Sequence, residues 1–111
     1  MAKKKDVAEI RRLNDELRTA GKGGRVVLTL GIQELGEQLL SKVLAAVASF
    51  DAFNKENDPY GEYDCAIIEV EDLRVLFKID YYNRTLEQGS ENPADPSITT
   101  RVLTVMLASE Y

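Results

Sequence analysis

The residues of this sequence best suited to chemistry are four carboxylates, Asp58, Glu62, Asp64 and Asp80. The first three lie together in a polar stretch, and the fourth follows on a predicted strand. Because Mg²⁺ and Ca²⁺ bind several oxygen ligands, the four carboxylates would suit a hard cation if the loop folded beside the strand. Their spacing matches no EF-hand loop, and no phosphate-binding motif accompanies them. The pattern alone does not specify a metal site.

In the competing interpretation, Asp58 caps a turn and the other two loop carboxylates are solvated. Asp80 then pairs with Lys78 or Arg101. This interpretation is favoured because the spacing of the four carboxylates does not match a known set of metal ligands. No metal, cofactor or catalytic residue is predicted at these positions.

Residue counts exclude the common nucleophilic sites. The chain has no histidine and a single cysteine, Cys65. Ser-His-Asp and Cys-His arrangements are therefore absent, and so is the commonest zinc ligand. A thiol without a base or cation beside it is more typical of a strand or core position than of a nucleophile. The sequence predicts a non-enzymatic protein.

Charge is divided unevenly along the chain. Residues 1–25 carry eight basic and four acidic side chains, a net charge of +4, whereas the remainder carries six basic and fifteen acidic ones, a net charge of -9. The basic residues that could contact phosphate are Lys3, Lys4, Lys5, Arg11, Arg12 and Arg18. They would give salt-sensitive binding to nucleic acid regardless of its sequence. Acidic residues interleaved on the same predicted helix oppose this, so a helix with its own ion pairs, docked on the acidic body, is favoured.

Two sets of residues are candidates for binding a partner protein. The acidic set is Asp58, Glu62, Asp64 and Asp80, and the aromatic set is Tyr60, Tyr63 and Tyr82. Carboxylates attract a basic surface, and tyrosines near loops and strand ends anchor interfaces. An acidic body could also imitate nucleic acid and so inhibit a protein complex that binds it.

An N-terminal helix is predicted over residues 6–20. Its apolar positions at helical spacing are Val7, Ile10, Leu13 and Leu17. Residues 21–24 include three glycines, which stop a helix. A phosphate-binding loop would follow a strand and open a helix, so a linker is the better interpretation of this segment. The prediction is a basic arm or helix over residues 1–22, a Gly-rich linker at 21–24, and an α+β domain over 25–111.

The body is predicted as one strand, a long helix, a hairpin and a final helix. These elements cover residues 25–30, 35–50, 65–82 and a segment that starts at Asp95-Pro96. Asp95 resembles a helix cap, and an apolar helical face follows it at Ile98, Val102, Val105 and Met106. The fold class is therefore α+β, a single domain of order αβαββα. A long central helix and a C-terminal helix pack on a three-stranded antiparallel sheet.

The length and composition fit one soluble domain. No apolar run approaches the roughly 20 residues that cross a bilayer, so no membrane contact is predicted. Charged residues occupy the place of a signal peptide's apolar region after the basic start. An unpaired cysteine is typical of a reducing compartment. The sequence predicts a cytoplasmic protein.

Four segments carry a resemblance to a known family: GRVVLT at 24–29, NDPYGE at 57–62, KIDYY at 78–82 and TRVLTVMLASEY at 100–111. They resemble a family of short bacterial proteins classed only as a domain of unknown function, whose members are often carried on plasmids and other mobile elements. The resemblance runs from about residue 14 to the C-terminus. It implies a fold unit and a genetic setting but no activity.

One departure from the family pattern bears on chemistry. The family's loop usually reads Gly-Glu-His-Asp, whereas this chain has Gly61-Glu62-Tyr63-Asp64. Tyrosine, with a reference pKa of about 10, is a poor substitute for histidine as a base at neutral pH. Chemistry in this chain is therefore not expected to depend on that position.

The function expected from these observations is that of a non-enzymatic accessory or regulatory protein of a bacterial mobile element that acts by binding another protein. The first alternative is an acidic mimic of nucleic acid that inhibits a host defence complex, in the manner of an anti-CRISPR protein. The second alternative is nucleic-acid binding through the basic arm. The identity of the protein partner is left open, and so is a homodimer.

Overall fold

A four-stranded mixed sheet organises the molecule. The computed structural model describes residues 6–111. The strands are β1 (Gly24–Leu28), β2 (Cys65–Val70), β3 (Leu73–Tyr82) and β4 (Thr100–Leu107), and they lie in the order β1-β4-β3-β2. β1 runs parallel to β4, while β4 with β3 and β3 with β2 are antiparallel. β1 and β2 are therefore the two edges of the sheet.

Helices cover one face of this sheet, which we call the inner face. They are α1 (Val7–Ala20), α2 (Leu30–Gln33) and α3 (Glu37–Ser49), and a 3-10 turn spans Ala108–Glu110. Apolar residues of the helices form one core with inward residues of the strands, namely Leu17, Ile32, Val43, Val47, Val75, Phe77, Leu103 and Val105. Within residues 6–111, none of the helices has the length and apolarity that a membrane span requires.

The predicted N-terminal helix is confirmed as α1. Asp6 caps its start by accepting from the Glu9 N–H at 3.1 Å, and Gly21 ends it in a left-handed conformation. The helix packs on the sheet through Ile10, Leu13 and Leu17, which are all buried. Close packing also requires glycine at the start of β1, because a Cβ atom at Gly24 would lie 2.6 Å from the Arg101 carbonyl oxygen. Glycine lets α1 and β4 approach at that point.

The predicted fold class is wrong in the sheet and in the last element. The sheet has four strands with one parallel pair, not three antiparallel strands. The segment predicted as a C-terminal helix forms β4, which lies between β1 and β3. Along β4, Arg101, Leu103 and Val105 are buried on the inner face, and the intervening residues point the other way. The physical reason is that this period of two, with β-branched residues, satisfies two neighbouring strands at once.

The helix start predicted at Asp95-Pro96 is a turn. The Asp95 carboxylate accepts from the Ser97 N–H at 2.9 Å and from the Ser97 hydroxyl at 2.6 Å. The Ile98 N–H donates to the Asp95 carbonyl oxygen at 3.3 Å. Aspartate followed by proline suits a helix cap and such a turn equally, because in both the side chain accepts from a nearby amide. Here the chain extends into β4 instead.

The predicted hairpin is confirmed. β2 and β3 are joined at Glu71 and Asp72, and Val70 is paired with Leu73. Val75, Phe77 and Ile79 face the core. The opposite side of the sheet is called the open face here because, within residues 6–111, no α-helix packs on it. Its residues on β2 and β3 include Cys65, Ile67, Leu76, Lys78, Asp80 and Tyr82, by the alternation of the strands.

Candidate functional site

A groove of about 410 Å³ lies on the open face beside the β2 edge. Its lining includes Cys65, Ile67, Leu76 and Lys78 of the sheet, Asn57 of the preceding loop, and Tyr111. Ile67 is 49% exposed and Tyr111 is 86% exposed. The groove thus offers apolar and aromatic surface to solvent at one place.

The alternation of β2 places the groove residues on the open face. Ala66, Ile68 and Val70 are buried against the helices, so Cys65 and Ile67 point outward. Register brings Cys65 opposite Lys78 and Ile67 opposite Leu76. The sheet therefore builds the floor of the groove from two cross-strand pairs.

Hydrogen bonds accepted by the Glu110 carboxylate hold the 3-10 turn beside the groove. The carboxylate accepts from the Thr29 hydroxyl at 2.6 Å, the Leu107 N–H at 2.8 Å and the Gly31 N–H at 3.0 Å. These bonds lower the pKa of Glu110, the Thr29 hydroxyl having the largest effect. Tyr111 follows directly and is positioned as one wall of the groove.

Carboxylates lie near the end of the groove at Cys65. Burial raises the pKa of the Cys65 thiol most, and the charges of Asp64, Asp58 and Asp80 raise it further. Lys78 opposes them, but its ammonium is held by Asp80 at 2.7 Å. This hydrogen bond raises the pKa of Lys78. The thiol is therefore protonated at neutral pH.

The predicted acidic set is divided between surface and interior. Asp64 and Asp80 are partly exposed, whereas Asp58 and Glu62 are buried. Asp58 caps its turn, since one carboxylate oxygen accepts from the N–H groups of Glu62 at 3.1 Å and Tyr63 at 3.2 Å. Among residues 6–111, no three acidic or cysteine side chains are grouped so that they could hold a metal ion.

Glu62 belongs to a second constellation, a buried polar junction of Asn14, Glu62, Tyr81 and Arg101 between α1 and the sheet. The Asn14 amide donates to the Tyr81 hydroxyl at 2.7 Å and to the Glu62 carbonyl oxygen at 3.0 Å. The Tyr81 hydroxyl donates to the Glu62 carboxylate at 2.7 Å, and Arg101 Nε donates to the Asn14 amide oxygen at 2.9 Å. A further Arg101 nitrogen donates to the Pro93 carbonyl oxygen. Each member thus has hydrogen-bond partners inside the protein.

The protonation of the polar junction is set by its burial. Desolvation raises the pKa of Tyr81, and its hydrogen bond to Glu62 raises it further. Desolvation lowers the pKa of Arg101, although guanidinium groups remain charged in proteins. Tyr81 is therefore a fixed donor and Arg101 a fixed cation. The junction is suited to holding α1 on the sheet rather than to proton transfer.

The aromatic set is also divided. Tyr60 is strongly exposed, and Tyr82 is partly exposed on the open face. Tyr63 stacks on Phe53, with ring centroids 4.2 Å apart, and the Arg11 guanidinium lies 4.6 Å from its centroid. Tyr60 and Tyr82 are the tyrosines of this set that a docking partner reaches most directly.

The basic set is largely used within the protein. Lys3, Lys4 and Lys5 lie outside the described residues. Arg11 donates to the Gly61 carbonyl oxygen at 2.8 Å, and buried Arg18 donates to the Val47, Ala48 and Phe50 carbonyl oxygens at the end of α3. Arg12 is exposed but forms a two-point contact with Glu9, at 2.7 and 2.8 Å. Of the predicted phosphate-contacting residues on α1, Arg12 is therefore the one that is exposed.

Sequence reasoning missed Asn14 and Arg101 at the junction, and Ile67 and Tyr111 at the groove. Asn14 lies between Ile10 and Leu17 on the apolar face of α1, which is a signal of a buried polar group. Similarly, an isoleucine at an outward position of a strand, such as Ile67, is a signal of an exposed apolar surface. Nothing in the local pattern indicated Tyr111, because its place depends on the turn after β4.

Comparison with known families gives a match over residues 28–110, to the model of a family described as "Protein of unknown function (DUF3768)". The predicted resemblance to a family of unknown function is confirmed by this match. No curated protein and no solved structure matched the chain. The matched residues include β2, β3, β4 and the groove lining except Tyr111, while α1 precedes them.

Proposed function

Since the chain belongs to the DUF3768 family, whose description gives no activity, we propose its function from its own surface. The protein is a non-enzymatic accessory protein that binds another protein through the groove on the open face. A bacterial mobile element is part of the same proposal, supported by the sequence motifs at 24–29, 57–62, 78–82 and 100–111.

The observation that carries this proposal is the exposed apolar surface around the groove. Helices cover the inner face, whereas Ile67 and Tyr111 stand in solvent on the open face. Interface cores are enriched in aromatic and apolar side chains that fill pockets on the partner. The groove offers a place for one such side chain between β2 and Tyr111.

The charge of Asp64 at the groove supports a basic residue on the partner. Asp64 adjoins Cys65 and raises the pKa of its thiol, whereas Asp80 is paired with Lys78 at 2.7 Å. A complementary surface presents an apolar side chain with a lysine or arginine next to it. Burial of the apolar side chain would supply most of the affinity, and the basic residue would orient the partner.

A position-specific crosslink tests this proposal. A photoreactive phenylalanine analogue replaces Ile67 in the full chain, and a matched protein carries it at Leu44, a residue 37% exposed on α3. Irradiation in the native host should give one stoichiometric protein adduct from position 67 and none of that mass from position 44. Equal adducts from both positions, or no adduct from either, would contradict the groove as the binding surface.

Two variants of the groove and one control variant sharpen the same experiment. Ile67→Lys should abolish capture by an affinity-tagged chain, because it fills the apolar groove with a charge, while Leu44→Lys should leave capture unchanged. Asp64→Lys should weaken it, because the substitution reverses the charge beside Cys65. Nuclease treatment provides the last check: if it releases all bound material, the chain binds nucleic acid and the proposal fails. If added DNA instead displaces the captured protein, the acidic-mimic version of the proposal applies.

A further inference from the structure

The second edge of the sheet, β1, has an exposed apolar strip. It pairs with β4 on one side, and no strand within residues 6–111 pairs with its other side. Val26 and Val27 are 46% and 44% exposed, although they point to opposite faces. Leu30, just beyond the strand, is 67% exposed. Both faces of this edge are therefore open to solvent.

The other edge strand is better protected. On β2 the inward residues Ala66, Ile68 and Val70 are all buried beneath the helices, and Glu69 places a charge in the strand. On β1, Val26 shares the inner face with its register partner Leu103, which is buried, yet Val26 itself is not. Exposed edge strands usually carry charges, proline or a bulge that prevents further pairing. β1 has only Arg25 among these devices.

The outward hydrogen-bonding groups of β1 can be identified. The Thr29 N–H donates to the Val105 carbonyl oxygen at 3.1 Å, so Thr29 and, by alternation, Val27 and Arg25 direct their peptide groups at β4. Gly24, Val26 and Leu28 therefore direct theirs away from β4. The Leu28 oxygen already accepts from the Gln33 side chain at 2.7 Å and has a second lone pair. The outward N–H and C=O groups of Gly24, Val26 and Leu28 can therefore pair with the same groups of a second, antiparallel β1 strand.

We infer that β1 pairs antiparallel with β1 of a second copy of this chain, about a two-fold axis at Val26, so that two sheets become one continuous sheet. In this register Val26 faces its own counterpart, and Gly24 faces Leu28, so every outward residue of the strand has a partner. Arg25 then lies opposite Val27 and not opposite another Arg25. The pairing therefore brings no like charges face to face.

Symmetry selects a second copy over an unrelated peptide. Two-fold pairing places both helical layers on the same side of the joined sheet, so each Val26 gains an apolar neighbour where its own helices leave it exposed. The ladder is short, and its area falls at the small end of specific interfaces. A dimer that dissociates at roughly micromolar concentration is expected. The inference does not depend on the proposed groove.

Sedimentation velocity of the full chain over roughly 1–200 µM tests the dimer. The wild type should pass from monomer to dimer across this range. Val26→Lys should weaken association at least tenfold, since it sets two ammonium groups directly opposite each other. Ile67→Lys is the matched control: it makes the same substitution at a similarly exposed residue of the other edge strand, and it should leave association unchanged. A wild type that stays monomeric, or equal effects of the two variants, would overturn the inference.

A crosslink tests the register and covers the case in which Val26→Lys fails to fold. In a Cys65→Ser background, Val26→Cys should form a covalent dimer under mild oxidation, because Cα atoms of a hydrogen-bonded antiparallel pair lie about 5.5 Å apart. Val27→Cys in the same background should not, because its counterpart is a diagonal neighbour at about 7–8 Å. Crosslinking at neither position, or faster crosslinking at 27 than at 26, would contradict the pairing.

Discussion

The polar junction on the inner face and the groove on the open face differ in which side chains they bury. On the inner face, Arg101 and Asn14 are buried and hydrogen-bonded to each other at 2.9 Å. On the open face, Ile67 and Tyr111 are apolar or aromatic and stand in solvent. The polar groups of the junction are thus buried with their hydrogen bonds made inside the protein, whereas these two groove residues are exposed.

This contrast separates residues that hold the fold from residues that can bind. A buried polar group is tolerated because its hydrogen bonds are made inside the protein, and its removal leaves other groups without partners. An exposed apolar group contributes little to folding and becomes valuable when a partner covers it. Substitutions of the buried junction residues should therefore change stability, and substitutions of the exposed groove residues should change binding.

The largest effect is expected from Arg101→Ala. The change removes the donor to the Asn14 amide oxygen and the donor to the Pro93 carbonyl oxygen, and it leaves a cavity beside Tyr81, whose ring lies 5.1 Å from the guanidinium. The free energy of unfolding should fall by about 3 kcal/mol in urea titrations. Arg74→Ala, at an exposed position of β3, is the control and should cost about 0.5 kcal/mol or less. Similar losses for both arginines would remove the contrast between the faces.

A smaller loss is expected from Tyr81→Phe. The hydroxyl accepts from Asn14 and donates to the Glu62 carboxylate, both at 2.7 Å. Its removal leaves a buried carboxylate with one donor fewer and should cost about 1–2 kcal/mol. Tyr60→Phe, on an exposed residue, should be close to neutral.

The same variant should change the alkaline pH dependence. The pKa of Tyr81 is raised in the folded protein, so the unfolded chain loses this proton first as the pH rises above about 10. The unfolded state then binds fewer protons than the folded state, and the free energy of unfolding falls with rising pH. Tyr81→Phe should show a shallower fall than the wild type between about pH 9 and pH 11, and Tyr60→Phe should follow the wild type. Parallel curves for all three proteins would show that the Tyr81 hydroxyl is not specially buried.

The sequence pattern predicts the elements whose structure depends on residues close together in the sequence. The spacing of Ile10, Leu13 and Leu17 specified α1, and the alternation around Val75 specified β3. β4 was missed because its sequence fits both periods. Ile98, Val102 and Val105 recur at helical spacing, while Arg101, Leu103 and Val105 alternate. Only pairing with β1, far away in the sequence, decides between them.

The candidate site was harder to predict for the same reason. Asp58 was correctly interpreted as a turn cap, since that role needs only the next few amides. Glu62 was expected in solvent, yet it is buried because α1 brings Asn14 to its backbone and β3 brings Tyr81 to its side chain. The groove needs β2, β3 and the turn after β4 together. Such contacts arise from topology and leave little trace in spacing.

The smallest effect, and the most specific to the open face, concerns the Cys65 thiol. Burial is the largest cause of its raised pKa, and the charge of Asp64 is the next. Alkylation by iodoacetamide near neutral pH should therefore be slower than for the unfolded chain, because the thiolate is the reactive form. Asp64→Asn should speed it by only about two- to fivefold, since it removes one charge and leaves the burial.

Asp51→Asn is the control for this prediction, because it removes the same charge from an exposed position outside the groove lining. The pH profile of alkylation distinguishes the causes: loss of a nearby charge shifts the profile to lower pH, whereas a more open groove raises the rate at every pH. A shift in Asp64→Asn and none in Asp51→Asn would locate the negative charge at the groove. Equal profiles would mean that burial alone sets the thiol's pKa, and the groove would then favour an apolar partner without a basic residue.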